Sequence, residues 1–318
     1  MAYAKPFLTL NQQIALIKGR GLAISDDAKA SSYLGKIGYY RLSGYWYPYR
    51  QSNVAAGKLI VGDNFKPGSE LAEIVDLYVF DKKFRLLLLD VIERIEIALR
   101  VQITLQLGQM SADAHRDPAL LHGNFARRPN PKTGLVKHRE WIRRQDEAFD
   151  KSKEEFAKHF RSKYPGENPP IWIAAEVWDF GAMSMLFSGL NKIDQSAIAS
   201  VFNVRSFDIM ENWLHAINVA RNVCAHHSRL WNKPSPVQPK WPSKQDCPDL
   251  AHLLGNTHAQ TRVYGMACIC AFLLKSINPG SGWTSRFTQL VGGFPKSNIV
   301  SLSGAGFPAG WERESIWQ

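Results

Sequence analysis

Apolar residues recur at three- and four-residue intervals along much of this chain. The longest such run extends from Ser69 to about Leu107 and carries Ile74, Leu77, Tyr78, Phe84, Leu88, Val91, Ile95 and Leu99. With about 3.6 residues per helical turn these side chains fall on one side, which predicts one long helix or a broken pair. Within it Glu93, Glu96 and Arg100 share a face, and Glu96 stands four residues before Arg100, the favourable order for a helix ion pair. Ahead of it the spacing predicts a short helix over 8–24, and Ser25-Asp26-Asp27 supplies an N-cap for another helix running toward Gly35. The aromatic run from Ile37 to Arg50 has no clear period and suits a compact irregular segment or a short helix edge.

Between Met110 and Pro170 the chain turns polar and proline-punctuated, and from Arg127 through Lys163 it holds 12 Lys/Arg against 6 Asp/Glu. Trp141, Phe149, Phe156 and Phe160 keep helical spacing, so a charged amphipathic helix is expected over 141–164 rather than disorder. Arg127, Arg128, Arg143 and Arg144 of this basic insertion are candidate RNA contacts. Pro169-Pro170 then opens further helical stretches at 171–190, 195–202 and from Ser206 onward, with Asn203 and Ser206 as punctuation. Lys233-Pro234-Ser235-Pro236 marks a turn, 250–254 and 261–277 read as later helices, and the tail is glycine-rich. β-branched alternation is weak except near the C-terminus. The fold class that follows is mainly α, with a basic helical insertion and an irregular C-terminal extension.

Composition narrows the setting. A chain of 318 residues with 45% hydrophobic content can bury a substantial core. Its formal charge of +11 favours a polyanionic partner, with nucleic acid ahead of an anionic membrane. The four cysteines, Cys224, Cys247, Cys268 and Cys270, are too few and too clustered for the disulfide framework of a small secreted domain. The N-terminal residues show no secretory pattern, and the apolar run 263–274 is too short to span hydrocarbon, so a cytoplasmic protein without a membrane partner is expected.

Candidate chemistry gathers in Arg221-Asn222-Val223-Cys224-Ala225-His226-His227-Ser228-Arg229-Leu230-Trp231-Asn232. Arginine stays charged and forks onto phosphate oxygens, while histidine, with an ordinary pKa of about 6.5, exchanges protons near neutrality. RNA is cut without a metal or other cofactor when a base takes the proton of its own 2′-hydroxyl, an acid protonates the departing 5′-oxygen and cations steady the phosphorane. Asn222 and His226 are four apart on one helix face, and Arg221 is long enough to converge with them. One histidine cannot be acid and base at once, so His227 or a second copy of His226 is needed, and a homodimer supplies the latter. The simpler reading is a basic helix end whose histidines cap or pack.

Other clusters compete for attention. Tyr39, Tyr40, Tyr45, Trp46, Tyr47 and Tyr49, with Arg41 and Arg50, have the composition of a base-stacking platform. Core packing is the favoured reading, with Arg41 the better RNA contact. Cys224, His226 and His227, or Cys247, His252 and His258, are natural zinc ligands but lack paired short-spaced arms, so no metal is expected. Asp90, Glu93 and Glu96 are interleaved with Arg94 and Arg100 and read as an ion-paired face rather than a metal site.

The segments GYYRLSGYWYPYR, IERIEIALR, PIWIAAE with Phe180-Gly181, and RNVCAHHSRLWN together resemble the Abi-like family of bacterial abortive-infection proteins, which belongs among the HEPN ribonucleases. The resemblance covers roughly 8–232. The family pattern, an arginine followed by a polar residue and then a histidine, falls on Arg221, Asn222 and His226. What it implies is a HEPN-like helical bundle over 1–232 with an insertion around 110–170, and metal-independent RNA cleavage by paired motifs; the helical extension over 233–318 lies outside the resemblance and is expected to pack on the same domain. It also implies that the long helix packs beside the motif helix, where Glu93 or Glu96 would orient Arg221. Expected partners are RNA, a second copy, and a noncoding RNA or small protein antitoxin. The competing function is a noncatalytic RNA-binding or protein-interaction module.

Overall fold

The computed structural model describes residues 6–55 and 57–318. The long apolar period becomes one unbroken helix. In chain order the first elements are α1 (Leu10–Gly19), α2 (Asp27–Ile37), α3 (Tyr39–Trp46), β1 (Arg50–Ala55), β2 (Lys58–Phe65) and α4 (Leu71–Gly108). The N-cap of α2 is Asp26, which accepts from the Lys29 N–H. With 38 residues α4 is about 57 Å long, and Leu77, Phe84, Leu88, Val91, Ile95, Leu99, Ile103 and Leu107 along it are fully buried. Burying each such side chain is worth about 2 kcal/mol, so α4 is the axis on which the bundle condenses.

The insertion carries α5 (Gly123–Ala126), α6 (Lys137–Lys151) and α7 (Glu155–Lys163), followed by α8 (Ile171–Ala174), α9 (Phe180–Ser188), α10 (Lys192–Val201) and α11 (Phe207–Ala225). The C-terminal part adds α12 (Thr257–Gln260), α13 (Val263–Ile277) and α14 (Trp283–Gly292). Helices α3, α8, α9, α10, α11, α13 and α14 all contact α4. Near the end of the chain Phe307, Trp311 and Trp317 pack with Tyr264 and Phe287. A Cβ at Gly304 would lie 2.8 Å from the Trp231 ring, so the tail reaches the residue just beyond the Arg221–His226 segment only where no side chain intervenes.

Three expectations change. The strands are not near the C-terminus: β1 and β2 form an antiparallel hairpin that pairs Arg50 with Phe65 and Ala55 with Lys58. Most of its side chains face solvent, so it has no alternating buried face to betray it. The helix expected over 141–164 breaks at Ser152, where Arg161 folds back to donate to the carbonyls of Phe149 and Ser152 and closes the end of α6. The stretch 171–190 breaks before Asp179, whose carboxylate caps α9 by accepting from the Ala182 N–H. A side-chain cap outweighs the apolar period in both places.

The insertion is pinned by buried histidines. A ring nitrogen of His138 lies 2.8 Å from the His115 carbonyl, the His115 ring packs on Trp178, and Trp178 meets Trp141 edge-on. Both histidines are 2% exposed. Burial, with Arg116 and His138 adding to it, pushes His115 down to about 3. An unfolded histidine takes its proton at about pH 6.5, so between there and about 3 the unfolded chain binds a proton that the folded one refuses. Unfolding free energy is therefore expected to fall as pH drops through that window, by up to about 1.4 kcal/mol per pH unit for this residue. Urea titrations across the window check it: His115→Phe should flatten the slope, and an unchanged slope would remove His115 as its cause.

Candidate active site at the end of α11

Helix α11 starts after Ser206 and buries Met210, Trp213, Leu214, Ile217, Ala220 and Cys224 against its neighbours. That stripe fixes the rotation of the helix and leaves Asn222 exposed and Arg221 half-buried at its C-terminal end. The helix stops at Ala225. His226 is its C-cap and remains near-helical, so it still lies about one turn beyond Asn222, whose carbonyl accepts from its N–H at 3.0 Å. His227 adopts a left-handed backbone with φ of 56°. Its N–H donates to the Cys224 carbonyl and that of Ser228 to the Val223 carbonyl, which completes a Schellman ending. Glycine usually fills this left-handed position, so a histidine here is held by its surroundings.

Those surroundings are the part the sequence did not announce. Asp81 of α4 is fully buried and accepts from the Tyr45 hydroxyl at 2.6 Å, from the Trp231 N–H at 2.9 Å, from the Leu230 N–H at 3.3 Å and from Arg85. Arg85 also donates to the Tyr45 oxygen at 3.0 Å. Burial raises the Asp81 carboxyl above the ordinary range, and Tyr45, Arg85 and the two peptide N–H groups oppose it. With only donors aimed at it, the site is built for a carboxylate. Two further bonds tie the turn to α3: Arg41 donates to the His227 carbonyl at 2.6 Å, and Arg229 donates to the Gly44 carbonyl. The readable signal was a charged pair, Asp81 and Arg85, on the same buried stripe as Leu77, Phe84 and Leu88.

Further along α4, Arg221 lines a groove of about 570 Å³ with Leu86, Asp90, Glu93, Glu96, Ile97 and Arg100. Glu96 pairs with Arg100 at 3.4 Å, and among the described residues Arg221 has no ion-pair partner, its guanidinium donating to the Asn222 side-chain oxygen at 3.5 Å. Burial raises the Glu96 carboxyl, with Arg100 and then Arg221 opposing. Glu96 therefore acts on Arg221 through its field rather than through a direct bond, and Glu93 is exposed in the same groove.

Of the candidate residues, the fold brings Arg221, Asn222, His226, His227, Arg41, Glu93 and Glu96 to the end of α11. The insertion arginines sit elsewhere. Arg127 is exposed and donates to the Pro118 carbonyl, Arg128 is exposed beside it, and Arg143 pairs with Glu147 on α6. Arg144 lines a second groove, about 910 Å³, that follows α11 from Asp208 to Asn218. The aromatic run divides: Tyr45, Trp46 and Tyr49 are buried, and Tyr40 and Tyr47 are exposed. Cys224 is buried while His226 and His227 face outward, and burial pushes its thiol up to about 12, so it is a packing residue. Among the described residues, no group of three or more His, Cys, Asp or Glu is placed to hold a metal ion, and no helix is long and apolar enough to cross a membrane.

A family model described as "Abi-like protein" matches residues 32–232, from within α2 to just past the motif. No curated protein and no solved structure matches the chain.

Proposed function

The chain belongs to the Abi-like protein family, and from that premise we propose that it is a metal-independent endoribonuclease of the HEPN type, acting in abortive infection or as a toxin. The observation that carries this reading is the collection of Arg221, Asn222 and His226 at one accessible helix end, whose following turn is anchored by Asp81 through the Leu230 and Trp231 N–H groups. In this reading Arg221 neutralises the charge that builds on the phosphorane and Asn222 orients the phosphate. One imidazole takes the 2′-hydroxyl proton, the 2′-oxygen bonds to phosphorus, the bond to the 5′-oxygen breaks and a second imidazole protonates that oxygen. The two imidazoles are His226 of two copies, joined about a two-fold axis, with His227 beside each. A noncoding RNA or a small protein antitoxin would restrain the enzyme by covering this end of α11.

The expected products are a 2′,3′-cyclic phosphate and a 5′-hydroxyl, formed from single-stranded RNA in excess chelator. Mass spectrometry of the fragments checks both ends. Cleavage that stops on chelation, or products ending in 3′-hydroxyl and 5′-phosphate, would overturn the mechanism. RNA binding without any cut would favour a noncatalytic module.

A further inference from the structure

The outer face of α3 is docked on the motif turn yet leaves an aromatic ring in solvent. Leu42, Tyr45, Trp46 and Tyr49 point into the core, and Tyr39 packs edge-on against Trp46 at 5.0 Å. Tyr47 follows α3 in helical geometry, so Tyr40, Arg41, Gly44 and Tyr47, spaced by one, three and three residues, form one strip. Its middle touches the motif: Arg41 donates to the His227 carbonyl, and the Gly44 carbonyl accepts from Arg229. Its ends hold Tyr40, 89% exposed, and Tyr47, 49% exposed.

Resting on the ribonuclease reading, we infer that Tyr40 and Arg41 form a subsite for an unpaired nucleobase next to the phosphate held by Arg221 and His226. A single exposed aromatic is ordinary on a protein surface. The placement of this one carries the inference: it adjoins an arginine bonded to the turn that displays the histidines. Arg41 uses one guanidinium nitrogen for that bond, so the rest of its fork stays available to a phosphate oxygen. From Gly38 to Arg50 the chain contains no acidic residue, so nothing on this element repels a polyanion. Arginine beside an exposed aromatic is the combination that holds single strands without sequence readout. A base stacked on Tyr40 would lift one nucleotide out of any helix and favour exposed RNA over duplex.

The test uses the full chain and a 2′-O-methyl oligonucleotide, which carries no 2′-hydroxyl proton and is not cut. Fluorescence anisotropy should show Tyr40→Ala weakening binding by roughly 5- to 150-fold, the range that base–aromatic stacking covers, with Tyr40→Trp and Tyr40→Phe binding like the parent. A parent that does not bind, or a Tyr40→Ala chain that binds equally well, would overturn the subsite. So would a shift from dimer to monomer on sedimentation of Tyr40→Ala, which would make the ring a contact between copies. The two readings fail separately: binding that needs Tyr40 but yields no cleavage of ordinary RNA removes the ribonuclease and leaves the base subsite. Cleavage lost in His226→Ala with binding indifferent to Tyr40 does the reverse.

Discussion

His226→Ala is expected to lower RNA cleavage by about 10²- to 10⁴-fold, the contribution of a positioned proton-transfer group, and Arg221→Ala by about 10²- to 10³-fold. Neither change should disturb folding. His226 is exposed at the helix cap, and its backbone N–H, which bonds to the Asn222 carbonyl, is present in alanine too. Arg221 is half-buried, has no ion-pair partner among the described residues, and leaves behind a groove open to water. Circular dichroism and melting temperature should therefore match the parent while product formation disappears. Equal turnover by the parent and either variant would end the catalytic assignment. Because the proposed site is shared by two copies, the parent's specific activity should also rise with protein concentration through the dimerisation range.

Asp81→Ala is expected to destabilise the fold by about 3–5 kcal/mol, the usual consequence of stripping one partner from a buried charge pair. It leaves Arg85 charged and enclosed, and it removes the acceptor for the Leu230 and Trp231 N–H groups. The second effect reaches the site, since those peptide groups follow His227 by only a few residues. Cleavage per folded molecule should drop even at temperatures where the variant is folded. Urea titration measures the first effect and single-turnover cleavage the second. Replacing Asp81 with Asn and Arg85 with Met together should recover part of the stability, because the unpaired charge is gone, but not the cleavage, because an amide holds the turn less firmly than a carboxylate. A loss under about 1 kcal/mol for Asp81→Ala would show that the network is not the anchor of the turn.

Much of the helical plan was legible because apolar periodicity is local. The long period before Leu107 became α4, Asp26 capped α2 as its side chain required, and Glu96 met Arg100 one turn away. What escaped were events that an apolar period does not encode. Arg161 ends α6 by reaching back to Phe149, and the hairpin at β1 and β2 has too few buried positions to alternate visibly. The aromatic run after Ile37 was unreadable for a related reason: its residues are sorted by what lies against them, and a bare string of tyrosines does not say which will meet α4.

The mainly helical class, the family resemblance and the string of Arg221, Asn222 and His226 are all written in the sequence, since each rests on short local stretches of it. How that string is displayed was set by contacts in the folded molecule. They ended the helix at Ala225, turned His227 into a left-handed residue, and locked the turn through bonds between residues 150 and 186 positions apart, Trp231 to Asp81 and Arg41 to His227. The physical reason is burial. A carboxylate removed from water needs every lone pair satisfied, and the donors that satisfy Asp81 come from α3, from α4 and from the end of the motif, so one buried acid sets the geometry of an exposed site.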